Sequence, residues 1–396
     1  MKEQYQPLFQ PLSLNNGVQL DARVGLSSIV TNSSTSEGHI TPEDIAYHER
    51  RANSAPLQIS GAAYVEEFGQ RFQYGFSASH DRTIKGLSKL ADSMKKDGAK
   101  AILQLVHSGR QAHQALYDFG FVYGPSEEHY HFPIEHTVVP MSKRKIHHVA
   151  VQYGDATRRA IQAGFDGVEI TGANRYLIQA FFSTFSNKRT DEYGPQSIEN
   201  RARFGLEVMT EVQKVIDEEA PDDFILGYRV SPEESAGNLV GYTIEELCEY
   251  IDLLLETTSP DYIATAMWGT DSYDEIVRFG DHTGEFMNEV IYNHIDGRTA
   301  MLASGGINTP DKALSALRFS DIIAIATPLI TEPDFFNKIK DGREESIDLR
   351  FNEDDIDDLA IPQAAFKDIA YLMDVGQSLP EETREHFSKR QDGTSK

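Results

Sequence analysis

Eight short β-rich runs, each followed by a stretch of helical periodicity, recur before residue 345 and leave few architectures open. The runs are Val24–Val30, Leu57–Ser60, Lys100–Leu105, Gly167–Ile170, Phe224–Val230, Tyr262–Thr265, Met301–Ala303 and Ile322–Ile325. Spacings of roughly 20 to 60 residues suit βα units, because parallel strands need a crossover of a dozen residues or more. Eight units predict an α/β fold, a (β/α)8 TIM barrel. The length of 396 residues fits one elaborated barrel, since the class runs from about 200 to over 400 residues.

Local signals place helices between the strands. Thr41-Pro42-Glu43-Asp44 reads as an N-cap, a first-turn proline and acids on the helix dipole, and Thr309-Pro310-Asp311 repeats the device. Thr243 starts another helix with Glu246 as its capping-box partner. Residues 107–146 interrupt the rhythm with His, Tyr, Gly and Pro, which predicts an insertion lying over the active face as a lid. The acidic segment 346–396, with helical character over Ala364–Val375, lies beyond the eighth unit and is expected to pack outside the barrel, on it or against a partner subunit.

Hydrophobic residues at 40% supply a large core, and 62 acidic against 37 basic residues give a net charge of −25 that repels nucleic acid and anionic lipid. The single cysteine, Cys248, excludes an internal disulfide and an intrinsic four-cysteine cluster, and its helical context reads as packing. No metal site is expected. MKEQYQPLFQ lacks the apolar core of a signal peptide, and no run approaches the 18 or so apolar residues of a membrane span, so a cytoplasmic protein with neither membrane nor nucleic-acid partners is expected.

In a barrel, reactive groups come from the C-terminal ends of the strands. There the sequence offers Gln104, Thr171, Asn174, Tyr176, Arg229, Ser304-Gly305-Gly306 and Ala326-Thr327, and no lysine suited to a Schiff base. Ser304-Gly305-Gly306 leads into a capped helix after the seventh strand, where barrels often bind phosphate through backbone N–H groups, although a Gly-Gly turn is also an ordinary connection. Arg229, inside an apolar strand, needs a partner: a ligand with a delocalised anion, or a buried acid.

The stretch DGVEITGANRYLIQAFFSTFSNKRTDEYGPQSIENRARF resembles the signature of the Old Yellow Enzyme family. Similarity continues through LFQPLSLNNG, ILQLVHSGRQ, LGYRVSPEE, ASGGINTPDKAL and ATPLITEPDF, in that family's order, over most of residues 7–345. The resemblance implies non-covalent FMN, NADH or NADPH as reductant, and a small-molecule electron acceptor such as an activated alkene. It also implies a homodimer as one assembly. Gln104 would bond the flavin pyrimidine, Arg229 would lie near N1/O2, and Ala62 would line the ring together with Ser28, Ile29 and Val30 from the end of the first strand. Tyr176 would donate a proton to the substrate carbon, while Asn174 and Thr171 would hold its activating oxygen. A phenol is protonated at neutral pH and can act in this way.

The pattern departs from the family in several places. Thr171 stands where a histidine is usual, and a hydroxyl cannot offer a protonated imidazole. Arg175 replaces a small residue. Ser27 and Ser28 replace an Ala-Pro pair, and Val30 replaces a flavin-bonding threonine, with Thr31 adjacent. Ala326 and Thr327 replace a glycine and the arginine that clasps the FMN phosphate. Two classes stay open: an FMN-dependent NAD(P)H oxidoreductase with an altered acceptor pocket, and a divergent paralogue that has weakened or lost FMN binding and acts as a binding or regulatory protein.

Overall fold

The computed structural model describes residues 1–131 and 134–391. Residues 132–133 of the expected insertion and 392–396 of the expected tail lie outside the described residues. Eight parallel strands close into a ring: β1 (Val24–Leu26), β2 (Leu57–Ile59), β3 (Lys100–Val106), β4 (Gly167–Gly172), β5 (Ile225–Val230), β6 (Tyr262–Thr265), β7 (Ala300–Ser304) and β8 (Ile322–Ile325), with β8 returning to β1. The helices that follow them are α1 (Pro42–Arg51), α2 (Ile84–Met94), α3 (Lys143–Ala163), α4 (Ile198–Glu219), α5 (Ile244–Thr257), α6 (Met287–Ile295), α7 (Pro310–Ala316) and α8 (Phe335–Lys340). Among the described residues no helix is long and apolar enough to cross a membrane.

The expected caps form. Thr41 and Asp44 make a reciprocal capping box on α1, Thr243 and Glu246 make one on α5, and Thr309 accepts from the Lys312 N–H at the start of α7. Apolar side chains fill the barrel, and the hairpin Leu12–Ser13/Gln19–Leu20 brings Leu14, Val18 and Leu20 against Leu57, Ile102, Ile225 and Leu302, so this core is continuous with the hairpin. Cys248 is buried on α5, and burial pushes its thiol up to about 12, in keeping with packing rather than reactivity.

The structure departs from two expectations. The first strand ends at Leu26, not Val30: the Ser27 N–H still bonds the Ile325 carbonyl at 2.8 Å, after which the chain turns and presents Ser27–Val30 to the barrel mouth. The insertion is not an aperiodic lid. It holds a short helix (His113–Phe119) and a three-stranded sheet, Val122–Gly124, Glu128–Tyr130 and His136–Pro140, and none of its described residues lines the main cleft.

The tail packs on the barrel, across its mouth. Ile361, Phe366, Ile369, Leu379 and Phe387 pack with Ile29, Tyr47 and Ile330 in one cluster. The fully buried Arg51 guanidinium locks the tail down by donating to the carbonyls of Tyr47, Leu329, Ile330 and Leu359 at 2.8–3.0 Å. Its Ile369–Met373 turn is a π-helix, and Asp368, Leu372 and Met373 form one wall of the main cleft. This segment covers part of the mouth in place of the insertion.

Candidate active site

At the floor of the cleft lies Glu169 on β4, fully buried. Its carboxylate takes Arg229 Nε at 2.7 Å and Nη2 at 3.0 Å, Gln104 Nε2 at 2.6 Å and the Tyr262 hydroxyl at 3.0 Å. Tyr262 reaches it across Gly227, where a Cβ would stand 2.2 Å from the tyrosine ring. Burial works against the guanidinium charge, but Glu169 outweighs it and raises the Arg229 pKa. Of the two partners open for Arg229, the structure supplies the buried acid: two nitrogens are held by Glu169, while Nη1 lies 3.5 Å from Ser304 Oγ and the side chain lines the cleft. Gln104 Oε1 accepts from Ser28 Oγ at 2.9 Å, which fixes the amide with its Nε2 toward Glu169.

Around this floor stand Ser28, Ile29, Val30, Ala62, Ala266, Met267 and Ala326. Thr31, the neighbour of Val30, turns away and donates to Asp44 at 3.1 Å, so it does not replace the missing threonine. The cleft continues through Ser27, Ser304 and Ala326 into a second cavity lined by Gly305, Gly306, Thr327 and Ser378. Gly305 and Gly306 have φ of +108° and +75°, a backbone that side chains resist. Among the described residues lining that cavity there is no lysine or arginine. Lys312 on α7 is engaged by Asp271 at 2.6 Å and Asn308 at 2.9 Å, and Thr327 Oγ1 donates to the Met373 carbonyl at 2.6 Å.

On the open side, Asn174 and Arg175 both adopt left-handed backbone, with φ of 61° and 58°. Such residues persist where their surroundings over-determine them. Here Gln111 Nε2 donates to both carbonyls, Ser231 Oγ accepts from the Asn174 N–H, and Gln179 accepts from the Arg175 N–H. The turn directs Asn174 and Tyr176 into the cleft. Trp268, half exposed in the loop after β6, donates to Asn174 Oδ1 at 2.8 Å, which leaves the Asn174 amide N–H groups free. Arg71 Nη1 donates to the Tyr176 hydroxyl oxygen at 2.9 Å and to Gln111 Oε1 at 3.0 Å.

Thr171 is the exception among the residues singled out from the sequence. It shares the inner face of β4 with Glu169, its hydroxyl is buried without a hydrogen-bond partner, and it does not line the cleft. A threonine ends at Cγ and Oγ, too short to reach where an imidazole would.

Behind Tyr176, the His107 carbonyl accepts from the Leu177 N–H, and His107 Nδ1 accepts from the Gly109 N–H, so Nε2–H faces Glu66 at 3.0 Å. Lys145 on α3 adds a second bond to Glu66 at 2.7 Å. Burial alone would raise the Glu66 carboxyl, but the bonds from His107 and Lys145 outweigh it and hold its pKa at about 2. Because the folded value is depressed, the stabilisation is present above the ordinary 4.5 and is lost as pH falls toward 2. The stability difference between wild type and Glu66→Gln, from urea unfolding, should be flat above pH 5 and shrink by about 3 kcal/mol on descending through that window. A pH-independent difference would contradict this.

The family model of the NADH:flavin oxidoreductase / NADH oxidase family matches residues 7–346. The chain belongs to this family. An oxidoreductase of Streptococcus pyogenes serotype M5 is 52% identical over 388 residues, covering 98% of this chain and 97% of that protein. The "Probable NADH-dependent flavin oxidoreductase" of Bacillus subtilis (strain 168) is 31% identical over 371 residues, 93% of this chain and 97% of its own. Among solved structures, morphinone reductase superimposes with a TM-score of 0.70 at 26% identity, covering 89% of this chain and 92% of that one. Old Yellow Enzyme homologues are also among the structural neighbours. Of the two classes left open by the sequence, the enzyme stands: an NAD(P)H-dependent flavin oxidoreductase whose family uses FMN.

The residues present fit that cofactor. A cleft that sets Ile29, Val30, Ala62 and Ala326 beside Gln104 and Arg229 suits an isoalloxazine, and the adjoining Gly305-Gly306 cavity suits the phosphate end. The phosphate would be held by neutral donors only. Placing a guanidinium there, Thr327→Arg, should raise the ratio of FMN to riboflavin affinity by about 10- to 100-fold in titrations of the apoprotein. An unchanged ratio would show that the arginine does not reach the phosphate.

Proposed function

We propose that this enzyme reduces an activated carbon–carbon double bond, with Asn174 holding the activating oxygen and Tyr176 supplying the proton. The chemistry that FMN would supply here when bound is hydride transfer from NAD(P)H to the alkene. Gln104 and Arg229 would hold the polar edge of FMN, and Glu169 fixes both side chains from below. Asn174 has its Oδ1 committed to Trp268, so it can only donate to an incoming oxygen.

The observation that carries the reading is the Tyr176 hydroxyl. Its oxygen lines the cleft and accepts from Arg71, so its own hydrogen is directed elsewhere and is available to a substrate carbon. The same guanidinium stabilises the phenolate left when the proton departs. Support also comes from two relatives, each 34% identical, named NADH:fumarate oxidoreductase in Klebsiella pneumoniae and NADH:acrylate oxidoreductase in Vibrio harveyi, since both named acceptors are activated alkenes. This chain spans only 36% and 33% of those two proteins.

Isotope placement tests the proposal. With 4-deuterated NADH and an enone, deuterium should appear at the β-carbon, and with D2O it should appear at the α-carbon. Consumption of NADH by oxygen alone, with no saturated product from any of a panel of enones, nitroalkenes and unsaturated acids, would overturn it.

A further inference from the structure

We propose that Arg71 anchors a carboxylate on the acceptor, so that the alkene reduced here is an α,β-unsaturated carboxylate; this rests on the alkene-reducing reading above. Arg71 lines the cleft beside Tyr176, and among the described residues no carboxylate pairs with it. Its two hydrogen-bond acceptors, Gln111 and the Tyr176 oxygen, are neutral and share Nη1, while the buried Nε has no acceptor among the described residues.

The neighbouring cations are different. Arg229 is held by Glu169, Arg110 by Glu128 and Glu234, and Arg175 by Glu234. In a chain with 62 acidic and 37 basic residues, an acid within reach is easily supplied, and the wall around Arg71 offers none. An acid does line the cleft, Asp368 from the tail, but Asn32 Nδ2 holds it at 2.8 Å.

The placement matches the chemistry. Hydride adds to the β-carbon of an unsaturated acid, the proton adds to the α-carbon, and the carboxylate is carried on that same α-carbon. A guanidinium nitrogen 2.9 Å from the phenol oxygen therefore sits beside the carbon that Tyr176 would protonate. Asn174 Nδ2 can take the second carboxylate oxygen. The reaction balances as R–CH=CH–COO⁻ with NAD(P)H and one proton giving R–CH2–CH2–COO⁻ and NAD(P)⁺: the π bond breaks, two C–H bonds form, and the nicotinamide is oxidised.

Trp268, the single tryptophan, contacts Asn174 at the cleft and serves as a reporter that needs no turnover. Oxidised holoenzyme is titrated with butanoate and with methyl butanoate, following Trp268 fluorescence. Butanoate should bind at least about tenfold more tightly than its ester, and Arg71→Met should weaken the acid by about 10- to 100-fold while Arg71→Lys recovers part of the loss. In turnover, the preference in kcat/KM for crotonate over methyl crotonate should collapse in Arg71→Met by the same factor. A wild-type enzyme with no preference for the acid, or an Arg71→Met loss equal for acid and ester, would overturn the assignment and leave Arg71 only a positioning residue for Tyr176. Acid-selective binding that depends on Arg71, in an enzyme that reduces no alkene, would support the anchor and sink the reaction reading instead.

Discussion

Glu169→Gln is expected to lower the stability of the protein by about 3 kcal/mol, because it removes one partner of a buried ion pair and leaves the other charged. The carboxylate has no exposure and satisfies four donors from Arg229, Gln104 and Tyr262. A glutamine of the same shape offers one acceptor oxygen and turns its N–H groups toward the Arg229 guanidinium, which can only donate. Removing both charges should hurt less than removing either: Glu169→Leu with Arg229→Met is expected to be more stable than Glu169→Gln, which urea unfolding of the singles and the double would show. A single-variant loss below about 1 kcal/mol would mean that water already reaches the pair. The same substitution should weaken flavin binding, since Glu169 orients both Gln104 and Arg229.

The second large effect is on chemistry. Tyr176→Phe should leave reduction of the bound flavin by NAD(P)H within a few-fold of wild type while slowing re-oxidation by the alkene by about 10²- to 10⁴-fold. The asymmetry arises because the hydroxyl faces the substrate space and bonds only Arg71, with no contact to the Glu169 floor that would position the cofactor edge. Stopped-flow measurement of the two half-reactions separates them. Equal losses in both would remove Tyr176 from the proton-donor role.

The barrel was legible because its determinants are local. Strand runs and capping residues such as Thr41 and Thr243 act within a few residues, and the eight units they mark close as expected. Strand ends likewise led to Gln104, Asn174, Tyr176 and Arg229, and the family resemblance supplied the roles proposed for them. What stayed hidden depends on side chains that meet only in the folded chain. Glu169 sits in an apolar strand as plainly as Arg229 does, but only the register of β3, β4 and β5 shows that it joins Gln104 and Arg229. Trp268, just past the end of β6, was open to the strand-end rule and was not singled out. Arg71 gave no signal, since it lies in a long loop whose path is set by tertiary packing. The tail's contribution to the site stayed hidden for a related reason: an amphipathic segment reveals that it docks, but not where, and here it docks on the barrel across the mouth and contributes Asp368, Leu372 and Met373 to the cleft.

This cleft is proposed to bind FMN through Gln104, Arg229 and the Gly305-Gly306 cavity and to pass electrons from NAD(P)H to an alkene. The absorption spectrum of the purified protein titrated with FMN, followed under anaerobic conditions by NADH or NADPH and then an unsaturated acid, tests it in one experiment. Stoichiometric flavin bands, bleached by nucleotide and restored by the alkene, are the expected result. A protein that stays colourless in saturating FMN, or whose bleached flavin ignores enones and unsaturated acids alike, would contradict it.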